Sequence, residues 1–134
     1  MHHIIVNTLV ETNSALQGAG EIKCPITLYS PPWAVHSIGI GYFLTMISLA
    51  RQQQIPMTKS LAVLDCGEAV GFALAAIKSG VEAIIITGNP SVINKLSDIA
   101  TQCNVRLFNR MPEKVLDLRN YSDPLTAVRS FLSL

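Results

Sequence analysis

Residues 61–86, LAVLDCGEAVGFALAAIKSGVEAIII, give the clearest indication of the fold. This stretch begins with a continuous apolar run, Leu61–Leu64, that is typical of a strand buried on both faces. After the polar turn Asp65–Glu68, apolar residues recur at the i, i+3, i+4, i+7, i+8 spacing of a helix: Ala69, Phe72, Ala73, Ala76 and Ile77. Gly80 then ends the predicted helix, and a second apolar run, Ala83–Ile86, follows. The stretch therefore predicts a strand, a helix and a second strand.

The same unit recurs along the chain. Three more apolar runs have the character of buried strands: Ile4–Val6, Ile26–Tyr29 and Val105–Phe108. The runs starting at 61, 83 and 105 are 22 residues apart, as are those starting at 4 and 26. The step from 26 to 61 is 35 residues, so this unit carries an insertion of 13.

Two dipeptides that end in proline mark further helix starts. Asn89-Pro90 precedes an apolar stripe from Val92 to Cys103, and Asp123-Pro124 precedes a final one. Asn or Asp suits the N-cap and Pro the first helical position.

The sequence predicts a single α/β domain over residues 1–134, with about five parallel strands and helices on the faces. A doubly wound open sheet is our first choice, and a half-barrel of βα units has the same local pattern.

Charge and composition limit the partners. The formal net charge is +1 and the chain has no run of Lys or Arg. Because nucleic-acid affinity comes largely from clustered cations, we expect no nucleic-acid partner. Only 14% of the residues are charged while 49% are hydrophobic, so part of the apolar surface is expected to be buried between copies of the chain. We therefore expect a homo-oligomer.

No membrane segment or targeting signal is indicated. The best apolar candidate, Ile38–Ala50, is thirteen residues long, whereas a bilayer span needs about 20. The N-terminus lacks the cationic start of a secretory signal.

The three cysteines have no CxxC spacing and no histidine ligand pattern, which argues against a disulfide framework or a metal site. A cytoplasmic protein without a membrane partner is predicted, and no particular cofactor is indicated.

The turn Asp65–Glu68 is the first candidate site, because ligands of parallel α/β sheets bind beyond the carboxyl ends of the strands. Asp65 and Glu68 are candidate acid/base groups, and Cys66 is a candidate nucleophile at a helix N-terminus. A second interpretation fits equally well: Asp65 as the N-cap and Glu68 three residues later resemble a capping box. The neighbouring carboxylates also disfavour ionisation of the thiol.

Ligand-binding candidates come from this turn and from two other loops. Thr87–Ser91 combines a glycine, hydroxyl groups and free backbone N–H groups at a helix start, which suits a phosphate or carboxylate. An Asn-Pro helix start explains the same residues without a ligand. The 13 extra residues fall in the loop Ser30–Ile40, which is typical of a lid or an interface. The candidates are Gly67, Thr87, Gly88, Asn89, Ser91, Trp33 and His36.

The segment Leu64–Ala76, LDCGEAVGFALAA, followed by Ser79-Gly80-Val81, resembles a group of short uncharacterised bacterial α/β proteins, mainly alphaproteobacterial. Their turn has the form Asp-Cys-Gly-Asp-Ala-Pro-Gly, so Glu68 here replaces the second Asp and Val70 the Pro. The resemblance covers most of the chain and implies the strand, turn and helix, with no assigned activity. A looser similarity links the repeated unit to aldolase-like barrels, but no lysine stands at a strand end to form their Schiff base.

Two functions are compatible with these residues, and the sequence leaves open whether the protein is an enzyme. The first is a domain that binds or transforms a small anionic metabolite at the carboxyl ends of the strands. The second is a non-catalytic oligomeric module, in which the long loop and the apolar helix after it form the subunit contact.

Overall fold

A computed structural model describes residues 2–32, 34, 38–54 and 58–133. Strands and helices alternate along most of the chain, as the spacing of the apolar runs predicts. In chain order they are β1 (His2–Ile5), α1 (Leu9–Glu21), β2 (Ile26–Tyr29), α2 (Gly39–Gln52), β3 (Ser60–Asp65), α3 (Val70–Lys78), β4 (Ala83–Ile85), α4 (Pro90–Gln102), β5 (Arg106–Phe108), β6 (Leu116–Asp117), a 3-10 turn (Leu118–Asn120) and α5 (Pro124–Leu132). Within the described residues, no helix is long and apolar enough to cross a membrane.

All six strands are parallel and form one sheet in the order β5-β4-β3-β2-β1-β6. The α/β class, the open parallel sheet and the flanking helices are thus confirmed. Strands β1 to β5 are neighbours in chain order, as they would also be in a half-barrel of βα units. The two-residue strand β6 was not predicted, because it is too short to produce an apolar run.

Successive strand residues face opposite sides of the sheet, and the two sides are covered differently. On one side the strands meet the helices in a large apolar cluster, which includes Leu16 of α1, Phe43 of α2, Ile77 of α3, Leu96 of α4 and Val128 of α5. The smaller cluster on the other side contains strand residues and two residues that follow β5: Ile5, Tyr29, Val63, Ala83 and Ile85, with Leu61, Phe108, Met111 and Val115 at its margin. In the described part of the chain, this second side is therefore covered by the segment after β5.

That segment, residues 109–115, is called the connector below. It joins strands at opposite edges of the sheet, five strand spacings apart, which is roughly 24 Å at about 4.8 Å per spacing. The eight residue steps from Phe108 to Leu116 reach roughly 27 Å when extended. The connector therefore has little slack, and its first residues start across the sheet immediately beside the carboxyl ends of β5 and β4.

A partly buried ionic network holds the amino ends of the central strands. Arg51 of α2 donates to both carboxylate oxygens of Glu82, and the backbone N–H of Ala62 in β3 donates to Glu82 Oε1 at 2.9 Å. Burial alone would raise the pKa of Glu82, but the hydrogen bonds from Arg51 and Ala62 and the charge of Arg51 lower it overall. The network joins α2 to β3 and to the start of β4, at the end of the sheet away from the predicted site.

Helix α1 packs closely against α5. A Cβ atom placed on Gly18 would lie 2.6 Å from Cγ1 of Val128, which is fully buried. Val128 has a β-branched side chain with few alternative rotamers in a helix. Gly18 is therefore required by the close approach of the two helices.

We expect Gly18→Ala to lower the free energy of unfolding by about 1–3 kcal/mol, because the added methyl group overpacks the contact with Val128. Gly71→Ala is the matched control: Gly71 lies in α3 and a Cβ there meets nothing within 4 Å. That control should leave stability unchanged or raise it by up to about 1 kcal/mol. Urea unfolding followed by circular dichroism measures both, and equal stabilities would contradict the proposed contact.

Candidate functional site

The turn after β3 does not cap the helix that follows it. Helix α3 begins at Val70, and its N-cap is Ala69, which makes no side-chain capping bond. Asp65 instead accepts a hydrogen bond on Oδ1 from the N–H of Gly67 at 2.8 Å, within the turn itself. The capping-box interpretation of Asp65 and Glu68 is therefore wrong, because the helix begins several residues later than the Asp-x-x-Glu spacing implied.

Hydrogen bonds bring the loops after β2, β3 and β4 together. The buried hydroxyl of Ser30 accepts from the N–H of Asp65 at 2.8 Å. On the other side, the N–H of Thr87 donates to the carbonyl of Gly67 at 2.8 Å, and the N–H of Cys66 donates to the carbonyl of Ile85 at 2.8 Å. The turn 65–68 is thus fixed between its two neighbouring loops, as the parallel order of β2, β3 and β4 requires.

A cavity of about 480 Å³ opens beside this turn. Its walls combine three ionisable side chains, a hydroxyl and apolar surface, contributed by Pro32, Asp65, Gly67, Glu68, Ile85, Thr87, Arg110 and Met111. Asp65, Gly67, Glu68 and Thr87 are residues that the sequence had singled out. Arg110 and Met111 come from the connector, and they were not chosen as site residues although Asn109-Arg110 follows a predicted strand.

The ionisable groups of the cavity differ in exposure. Asp65 exposes only 8% of its surface, and this burial raises the pKa of its carboxyl group, while the hydrogen bond from Gly67 opposes the shift. Glu68 and Arg110 are exposed. Among the described residues, the ion pairs are Arg51–Glu82, Arg119–Asp117 and Arg129–Glu21, so the three ionisable side chains of the cavity take part in none of them.

Cys66 lies beneath the turn and outside the cavity lining. Its side chain is fully buried, and its Sγ lies 3.7 Å from the carbonyl oxygen of Leu64. Burial, together with the charge of Asp65, raises the pKa of the thiol to about 12. Cys66 is therefore protonated at neutral pH in this environment, which disfavours a role as a nucleophile.

The loop after β4 serves mainly to start α4. Asn89 is the N-cap, and its Oδ1 accepts from the N–H of Ser91 at 2.9 Å, with Pro90 in the first turn. This confirms the predicted helix start. Gly88, Asn89 and Ser91 are exposed and do not line the cavity, whereas Thr87 does. The remaining ligand-binding candidates, Trp33 and His36, lie outside the described residues.

The part of the chain that the structure describes contains no group of three or more His, Cys, Asp or Glu residues placed to hold a metal ion. Neither a scan against models of known protein families nor a search of curated proteins finds a match to the chain. The chain is thus an α/β protein with an open parallel sheet and a cavity, lined by side chains of both charges, at the carboxyl ends of its central strands.

We expect iodoacetamide at mildly alkaline pH to modify Cys103 rapidly and Cys66 only after unfolding in guanidinium. Cys103 is exposed, whereas Cys66 is buried and its pKa of about 12 leaves little reactive thiolate. Peptide mapping by mass spectrometry distinguishes the two sites. Modification of Cys66 in the folded protein at the rate of Cys103 would contradict this description of its environment.

Proposed function

We propose that the protein binds a small metabolite with an anionic group in the cavity between the turn 65–68 and the connector. The observation that carries the proposal is that Arg110, which has no ion-pair partner among the described residues, lines the same cavity as the buried carboxyl group of Asp65. A guanidinium group binds carboxylate and phosphate groups well, because its N–H donors match their oxygens in pairs.

Size and position support the same proposal. Cavities for small ligands usually measure about 300–1,000 Å³, and this one measures about 480 Å³. It lies beyond the carboxyl ends of β3 and β4, where parallel α/β proteins bind their ligands. Ile85, Met111 and Pro32 supply apolar surface for the carbon skeleton of such a metabolite.

The chemistry that fits this cavity is proton exchange by Asp65. Its raised pKa brings the carboxyl group closer to the pH at which a side chain can both accept and return a proton. Ser30 and Gly67 hold the turn and the carboxylate in place through their hydrogen bonds. Glu68, which is exposed at the mouth of the cavity, provides a second carboxylate. We place this activity in the cytoplasm, where the three free cysteines of the chain would stay reduced.

Arg110→Gln is expected to weaken the binding of inorganic phosphate or acetate by about tenfold or more, because it removes the charged donor. A titration followed by ¹H–¹⁵N NMR, at constant ionic strength, should show saturable shifts at Gly67 and Thr87 in the unmodified protein. The matched control is Arg119→Gln, since Arg119 is exposed and outside the cavity. Equal affinities in the two variants, or shifts confined to other parts of the protein, would overturn the proposal.

A second candidate function, the oligomeric module, is favoured by the surface of α2. This helix has no charged residue between Gly39 and Ala50, and it leaves Tyr42 52% and Leu49 42% exposed. Large exposed apolar side chains on a helical segment without charged residues are typical of a subunit contact. In this proposal the second copy covers α2, and the cavity has no catalytic role.

If α2 forms the contact, light scattering should find an oligomer whose size does not change on moderate dilution, and Leu49→Gln should lower its mass. Val10→Gln is the matched control, because Val10 is a 66% exposed apolar residue of α1. A monomer at every concentration, or equal effects of the two substitutions, would refute this second candidate.

A further inference from the structure

The cavity contains charges of both signs that do not neutralise one another. Asp65 and Glu68 line it from one loop and Arg110 lines it from the connector. Other arginines of the chain do find carboxylate partners: Arg51 pairs with Glu82, and Arg129 with Glu21. Within the described residues the charged groups of the cavity thus remain available to a ligand.

An anionic ligand without a positive charge would pair with only one of the three charged groups of the cavity. It pairs with Arg110, but it also brings a negative charge close to two carboxylates. Asp65 is more than nine-tenths buried, and the hydrogen bond from Gly67 uses one of its oxygens, Oδ1. A carboxylate accepts up to about four hydrogen bonds, and a buried one is costly unless it is paired. The remaining acceptor positions of Asp65 are open to a donor from the cavity, and a cationic donor suits a carboxylate best.

We propose, building on the proposed function, that the metabolite is a small zwitterion. Its carboxylate or phosphate group binds to Arg110, its ammonium group binds to Asp65 and Glu68, and a short aliphatic segment between them contacts Ile85 and Met111. An ammonium group has three N–H donors, which suits two adjacent carboxyl groups. A bare metal ion fits less well, because two carboxyl groups are few ligands and the ion has no anionic group to pair with Arg110.

The test uses two matched sets of small probes in calorimetric titrations at neutral pH. β-Alanine is compared with propionate, which lacks the ammonium group. Phosphoethanolamine is compared with ethyl phosphate in the same way, and ethylamine supplies the ammonium group without either anion. The two sets distinguish a carboxylate ligand from a phosphate ligand.

In the unmodified protein we expect one zwitterion to bind about tenfold to a hundredfold more tightly than its matched anion, as a charged hydrogen bond implies. Asp65→Asn and Glu68→Gln should remove most of this advantage while the matched anion still binds. Glu68 is exposed, so its substitution tests the inference even if Asp65→Asn fails to fold. Arg119→Gln should bind every probe as the unmodified protein does.

The titrations distinguish a failure of the zwitterion inference from a failure of the proposed function. If propionate and ethyl phosphate bind as tightly as the zwitterions, the ligand needs no cationic group, and this inference is wrong while the proposed function stands. If zwitterions bind best but both carboxyl variants keep the preference, the ammonium group lies elsewhere and the inference is again wrong. If no probe with an anionic group binds, the proposed function fails together with this inference.

Discussion

The structure depends first on the parallel pairing of β3 with β2 on one side and β4 on the other. Parallel strands all end at the same edge, so the loops after these three strands must come together there. The backbone bonds continue past the strands, from Cys66 to Ile85 and from Thr87 to Gly67. The turn that carries Asp65 is therefore held by the sheet itself, and the cavity forms next to a rigid element.

The connector contributes to the core and to the site together. Because it must span the sheet with few residues, it lies across the face that the helices leave open, and Met111 and Val115 pack against the smaller apolar cluster. The same path places Arg110 in the lining of the cavity, together with residues of the turn after β3. The connector therefore contributes residues both to the second face and to the proposed binding site, so a ligand bound there would also stabilise the fold.

Asp65 illustrates why the Asp-x-x-Glu spacing allowed two interpretations, a helix cap and a site residue. An Asp followed three residues later by Glu fits the start of a helix, and the residues alone do not say where the first helical turn begins. In the folded chain α3 begins at Val70, and Asp65 bonds to Gly67 instead. Its carboxyl group therefore lies buried at the cavity wall with a raised pKa, and both properties suit the proposed proton exchange better than helix capping.

The amino-acid pattern alone predicts most of the strand and helix units, the N-caps at Asn89 and Asp123, and the edge of the sheet where the candidate site lies. These follow from the periodicity and chemistry of adjacent residues, which are local properties of the chain. Packing of the whole chain sets the strand order, the pairing of β6 with β1, the burial of Cys66 and the position of Arg110 in the cavity. Each of these depends on contacts between residues far apart in sequence, and such contacts are set by how all the units pack together.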